Sequence, residues 1–359
     1  MSRRLLVVIA AVLLVSVAVT GQTPAPARQT APSSRQTTPV PKTATKSWAP
    51  PKTAWGDPDL QGTWTSDDSI GVPLQRPATI GERLVATDAE IAQREVNITR
   101  QSQADEQEFA APNARAGTGP PGHWGERARR PSKQTSLIVD PPDGRIPALT
   151  AEGQKKQAEA AAARIGAGVG GRPAASWEDF TYYIRCITRG VTGSIFPVIY
   201  GNGAQIVQSP GYVTILHEMV HEARIIPLDG RPHAGPNIRT YMGDSRGHWE
   251  GNTLVIETTN FLADKTGIGL NGGGTPTSDA LRLVERYSRT DANTINYEVT
   301  IDDPKTYTRP WKVAFPITQE PGYSLFEYAC HEGNYAMVDM LSGARAEEKA
   351  AEEAAKQKK

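Results

Sequence analysis

His217-Glu218-Met219-Val220-His221 has the spacing of a zinc-hydrolase signature, two imidazoles four residues apart with a carboxylate beside the first. That chemistry needs a helix. There, residues i and i+4 share one face about 6 Å apart and can hold one zinc, with the glutamate as general base. In an extended chain the same four residues span about 13 Å and cannot chelate one ion. Both patterns are present locally. Ile215, Leu216, Met219, Val220 and Ala223 make a helical apolar stripe that Ser209-Pro210 would cap. Val213, Ile215, His217, Met219, His221, Ala223 and Ile225 instead fall on one face of a strand, between the β-formers Tyr212–Ile215 and Ile225-Ile226. Arg224 stands where the long form of the zinc motif wants glycine. The leading reading is therefore an extended segment without a metal cofactor. A zinc site on His217 and His221, with Glu218 as base, is the alternative.

In the extended reading His217 and His221 face inward, where an imidazole needs a partner. Glu285, between Leu283 and Tyr287, is also inward, and a carboxylate so placed must be paired or have a raised pKa. Such groups among Tyr and Trp could run acid–base chemistry near neutral pH. The candidate catalytic residues are His221, His233, Glu218 and Glu285. The candidate ligand contacts are Arg224, Trp249, Tyr287, Glu327 and His331. Each has a plainer reading: an inward His is commonly structural, Glu285-Arg286 fits an ion-pair ladder between strands, and Trp249 fits a core position.

The elements that must position these residues are mostly strands. Ile295, Tyr297, Val299 and Ile301 alternate with polar residues through Thr294–Asp302. Leu281–Arg289 precedes that strand across the turn Thr290–Asn293, giving a hairpin. Thr253–Thr259 follows the turn Trp249–Asn252, and Ala204–Gln208, Tyr212–Leu228 (one long or bent strand) and Trp311–Ile317 add more. Asp59–Trp64 reads as an opening strand with a Gly-x-Trp signal. Two helices are expected, one from the capping box Thr87-Asp-Ala-Glu90 to about Gln103 and one over Ala151–Ile165. Ala110–Pro131 reads as a long surface loop and Pro141–Gly144 as a tight turn. Successive short strands without helical crossovers predict a mainly β fold. It is an antiparallel up-and-down meander closing into a lipocalin-like barrel by fold analogy, with peripheral helices and long loops.

Composition sets the remaining bounds. The chain has 359 residues, with Lys+Arg and Asp+Glu both 39, so it lacks the basic excess of a nucleic-acid binder. Arg3 and Arg4 followed by the apolar run Leu5–Val19 read as a secretory signal ending near Gly21, too short for a stable membrane span. Residues 22–53 are a Pro/Thr/Ser-rich disordered linker, and 54–343 a single β-rich domain with a helical and loop insertion at about 80–170. Residues 344–359 are a charged tail, read as a solvated helix or frayed end. The expected location is the periplasm or outside the cell. Cys186 and Cys330 are the only cysteines. In an oxidising compartment they make one disulfide, worth about 4–5 kcal/mol in the chain-entropy model.

Asp229-Gly230-Arg231-Pro232-His233, Gly247-His248-Trp249-Glu250-Gly251-Asn252-Thr253-Leu254-Val255, Glu257-Thr258, Phe261, Leu281-Arg282, Glu285-Arg286 and Asp303-Pro304 resemble a large family of uncharacterised secreted bacterial proteins. Ser136–Pro147 and Asp57–Trp64 are similar too, so the resemblance covers most of residues 55–345. It implies export and a β-rich domain, and no established activity. Asn252 stands where that family more usually has Asp. The expectation is an exported barrel that binds a small, mostly apolar organic molecule and transforms it, if at all, by metal-free acid–base chemistry. A non-catalytic envelope module is a further alternative. Partners other than a small ligand, and the oligomeric state, are not legible.

Overall fold

The computed structural model describes residues 48–110, 122–162, 172–262, 275–319 and 322–357. The expected signal sequence, residues 22–47 of the expected linker and part of the expected 110–131 loop lie outside the described residues. At the start of the described chain Lys52 pairs with Pro58 and Thr53 is buried.

In chain order the elements are β1 (Gly62–Thr65), α1 (Asp88–Ala110), β2 (Ile138–Asp140), α2 (Ala151–Ala162), α3 (Gly190–Gly193), β3 (Gly203–Ser209), β4 (Tyr212–His217) and β5 (Ala223–Pro227). They continue with β6 (Asp244–Glu250), β7 (Thr253–Thr259), β8 (Arg282–Asp291), β9 (Thr294–Asp302), β10 (Trp311–Gln319) and α4 (Ala336–Gln357). The fold is mainly β, as the alternation predicts.

The strands run β5-β4-β3-β1-β10-β9-β8-β7-β6, with β2 added to β10, and every pairing is antiparallel. This is a meander whose first strand is laid against its last. The two edges, β5 and β6, close on each other into a nearly complete barrel. At that seam a Cβ on Gly247 would lie 2.7 Å from Leu228 Cδ2 and 2.9 Å from Ile226 Cγ2, so only glycine lets the edges approach. No backbone ladder joins β5 to β6 among the described residues. The approach still buries two edges that would otherwise template aggregation.

Inward residues follow the period of two. Leu283, Glu285 and Tyr287 of β8 face Ile301, Val299 and Tyr297 of β9, all within 2% of fully buried. Rings fill the interior: Tyr287, Tyr297, Phe315 and Phe196 follow one another at centroid separations of 5.0, 5.2 and 5.8 Å. Each such burial stabilises the fold by roughly 1.5–3 kcal/mol relative to exposure.

The segment expected to be one long strand from Tyr212 to Leu228 instead folds back on itself. β4 ends at His217, a turn occupies Met219–His221, and β5 returns antiparallel, pairing Leu216 with Ala223 and Tyr212 with Pro227. The turn is made by residues that alternation alone cannot flag: Val220 (φ 62°) and His221 (φ 45°) both adopt the left-handed conformation without being glycine.

The capping box forms as predicted. The Thr87 N–H donates to Glu90 Oε2 at 2.7 Å, while α1 runs one to two turns beyond the expected end. α4 is a single helix through the expected tail, and Ala344 packs with Ala174 and Phe180 in a small cluster apart from the main core. The disulfide Cys186–Cys330 is present, with Cα atoms 5.7 Å apart.

Candidate functional site at the mouth of the barrel

The residues singled out from the sequence fall in four places. Inside the barrel, Arg224 of β5 reaches over the seam. Its guanidinium donates to Glu285 Oε1 at 3.1 Å and Oε2 at 2.5 Å, and to the Ser245 and Thr258 hydroxyls at 3.2 and 3.3 Å. The Tyr287 and Tyr297 hydroxyls donate to Glu285 Oε1 at 3.1 and 3.2 Å. Arg224 thus ties β5 to β6, β7 and β8 where the backbone ladder is missing. Burial pushes both tyrosines well up, with the Glu285 charge adding to it. Trp249 packs against the main core with a buried indole N–H that has no partner.

His233 lies on the outer wall. Its Nδ1 is 3.0 Å from Asp244 Oδ2 and its Nε2 3.3 Å from Glu257 Oε1, bracketing the Asp229–His233 turn against β6 and β7. Glu327 and His331 are exposed.

The fourth place is the turn between β4 and β5, covered by residues 322–335, which we call the strap. Glu218 accepts from the Tyr323 hydroxyl at 2.5 Å and from the Phe326 N–H at 3.2 Å. His221 Nδ1 is 3.1 Å from the Tyr328 carbonyl. A Cβ on Gly203 would lie 2.6 Å from Glu218 Oε2 and 2.9 Å from Leu325 Cδ2, so a glycine at the start of β3 admits the strap.

His217 and His221 do not share a face. His217, the last residue of β4, is fully buried, with the Ser194 backbone as a polar neighbour of its ring. His221 is exposed in the left-handed turn. The helix that would align them on one zinc is not formed, and the expected pair of inward histidines reduces to one. Burial holds His217 down to about 3, helped by the charges of Arg224 and Arg189 and opposed by the Ser194 backbone, so its imidazole is neutral. Among the described residues no group of three or more His, Cys, Asp or Glu is arranged to hold a metal ion.

The most perturbed carboxyl is one the sequence did not single out. Asp67, just after β1, is buried. The Asn202 amide, just before β3, donates to Asp67 Oδ1 at 2.7 Å and to Glu126 Oε2 at 2.9 Å. The Gly201 N–H donates to Glu126 Oε1 at 3.0 Å. Burial and then the neighbouring Asp67 carboxylate push Glu126 up to about 8, against the pull of the Gly201 and Asn202 backbone donors. A carboxyl buried beside a second carboxylate is disfavoured in its charged form.

The pair belongs to the same end of the barrel as Glu218. Asp67 and Glu126 both act on Tyr323, raising its hydroxyl after burial and the Glu218 hydrogen bond. Glu222, closing the turn, is raised by burial, against a hydrogen bond from Thr188. Arg189 is buried beneath, with its guanidinium 5.4 Å from the Tyr183 ring, and the Tyr183 and Tyr200 hydroxyls are 3.0 Å apart. Asp68 holds Arg130 at 2.9 Å, beside a shallow cleft of about 420 Å³ lined by Arg129, Arg130, Asp291, Asn293, Thr294 and Gln319.

Strain gathers here too. Val220, His221 and Cys186 (φ 54°) are three of the four non-glycine residues with positive φ among the described residues. A β-branched residue in that region is held there against its preference. Shifted carboxyls, a buried imidazole held neutral and strained backbone in one place mark a functional site better than any of them alone.

Asp67 and Glu126 were missed because they join across the fold, each through Asn202, which is far from both in sequence. The one available signal was the doublet Asp67-Asp68 directly after a Gly-x-Trp strand, where a further apolar residue would be ordinary.

Comparison with known protein families, curated proteins and solved structures finds no match to the chain. No helix among the described residues is long and apolar enough to cross a membrane.

Proposed function

We propose that this chain is an exported β-barrel protein that takes a small organic molecule at its strap-covered mouth, with Glu126 as proton donor and acceptor. The observation that carries the reading is the Asp67–Asn202–Glu126 arrangement. It keeps a carboxyl protonated near neutral pH, the state a general acid needs. The aromatic side chains of Tyr183, Tyr200, Phe326 and Tyr328 near it suit a mostly apolar ligand carrying one polar group. The mouth is favoured over the lumen because the interior rings and the Arg224–Glu285 pair already occupy the lumen. Glu285 and Arg224 then belong to the scaffold, and Glu218 with Tyr323 to the site.

The test is a small-molecule screen by thermal shift, repeated on Glu126→Gln, Tyr323→Phe and, as an outer-wall control, His233→Asn. Compounds that bind the parent protein should lose at least about tenfold in affinity with the first two changes and keep it with the third. Binding that survives both mouth changes refutes the reading. A second reading, a non-catalytic envelope module, is favoured by the filled lumen. It predicts that no compound binds and that Glu126→Gln alters stability alone.

A further inference from the structure

We propose that Cys186–Cys330 is a redox latch, and that its reduction by a dithiol oxidoreductase frees the strap while the barrel stays folded. Apart from the disulfide, little holds residues 322–335 in place. None of them is buried. Their polar contacts with the mouth among the described residues are few: Tyr323 and Phe326 with Glu218, Tyr328 with His221 and Tyr183, and Asn334 with Cys186. Beyond the strap, α4 is anchored on the 174–184 segment and not on the barrel core: Ala344, with Met337, Met340 and Leu341 partly buried, packs on Ala174, Phe180 and Ile184, and Arg345 donates to the Ala174 and Ala175 carbonyls. The barrel core does not include Cys186. The disulfide is therefore the strap's one covalent tie to the rest of the fold, and a segment with no buried residue opens at low free energy once untied.

The two sulfurs are placed unequally, which sets the direction of attack. Cys186 is 6% exposed, whereas Cys330 on the strap is half-buried, so Cys330 is the residue a nucleophile meets first. A thiolate of the reductant attacks Cys330 Sγ, the S–S bond breaks, and the electron pair leaves on Cys186 Sγ, which then takes a proton from solvent. The Asn334 amide, donating to Cys186 Sγ at 3.3 Å, stabilises the departing thiolate. The reductant's second thiol loses its proton and attacks the mixed disulfide, forming the reductant's own disulfide and releasing Cys330. Two electrons pass from the dithiol to the cysteine pair. Glu218 loses the two donors supplied by the strap, and the mouth opens.

Hydrogen exchange by mass spectrometry on the full chain, oxidised and after treatment with dithiothreitol, tests this without any ligand. Its outcome is thus independent of the proposed binding function. We expect exchange across 322–335 to accelerate by about tenfold or more on reduction, with β7–β10 unchanged and protection restored on reoxidation. The double variant Cys186→Ser/Cys330→Ser should match the reduced protein. Unchanged protection of the strap overturns the proposal. So does loss of protection throughout β7–β10, in the reduced protein or the double variant, because the disulfide would then be a staple of the whole fold.

Discussion

Replacing Arg224 by Met should destabilise the barrel by about 3–5 kcal/mol at pH 8, because it leaves the Glu285 carboxylate buried without its cation. The magnitude follows from the surroundings. Glu285 is fully buried, its side chain reaches no solvent, and the guanidinium donates to both of its oxygens. Tyr287 and Tyr297 remain as donors, which keeps the loss below that of a bare buried charge. The same change unties β5 from Ser245 and Thr258 at the seam. The orphaned carboxyl gains a pKa above its unfolded value, so the variant's native state holds a proton the unfolded chain has lost. Its stability is then greatest at low pH and falls as pH rises, and the deficit at pH 5 should be smaller than at pH 8. Adding Glu285→Gln, which keeps an acceptor for both tyrosines, should recover at least about 2 kcal/mol at pH 8. Urea unfolding of the parent, the single and the double variant at both pH values reads all of this. A single variant within about 1 kcal/mol of the parent, or a deficit independent of pH, would refute the assignment of Arg224–Glu285 as the internal tie across the seam.

Two other perturbations probe the mouth. Glu126 has a folded pKa of about 8, so the stability it lends is full below the ordinary carboxylate range and declines as pH climbs toward 8. The slope is at most about 1.4 kcal/mol per pH unit, and Glu126→Gln should flatten the stability profile over that window. A variant with the parent's slope would show that the proton is elsewhere. His217 behaves oppositely. Its pKa is held down to about 3, so its contribution is intact above pH 6.5 and is lost as pH falls toward 3. His217→Leu, which removes a buried imidazole that must charge in acid, should change stability at pH 7 by no more than about 1 kcal/mol and reduce acid sensitivity below pH 6. Chemical denaturation across pH 4–8 distinguishes these outcomes.

Much of the architecture is legible in the residues themselves. The alternation of Ile295, Tyr297, Val299 and Ile301 fixes which face of β9 is inward, and with it the register that puts Glu285 opposite Val299. The Thr87–Glu90 box marks the start of α1, and a chain with two cysteines and an expected export signal has one disulfide to make. The turn at Val220 escaped because alternation continues formally through Met219, His221 and Ala223. Nothing in a valine announces a left-handed backbone, which tertiary contacts impose. His221 was accordingly assigned inward when the turn carries it out to the strap. The candidate site was half visible. Glu218 and His221 lie in a conspicuous motif, which the fold turns toward the strap. Asp67, Asn202 and Glu126 carry no local pattern, and only the laying of β1 against β3 brings Asp67 to Asn202.

The account rests most heavily on the proton held at Glu126. Carbon-13 NMR of glutamate side-chain carboxyls from pH 5 to 9, with Glu126→Gln to assign the signal, observes it directly. We predict one carboxyl that stays protonated through pH 7, titrates near 8 and vanishes in the variant. If every glutamate is already ionised at pH 7, the mouth holds no general acid and the proposed site is a structural contact.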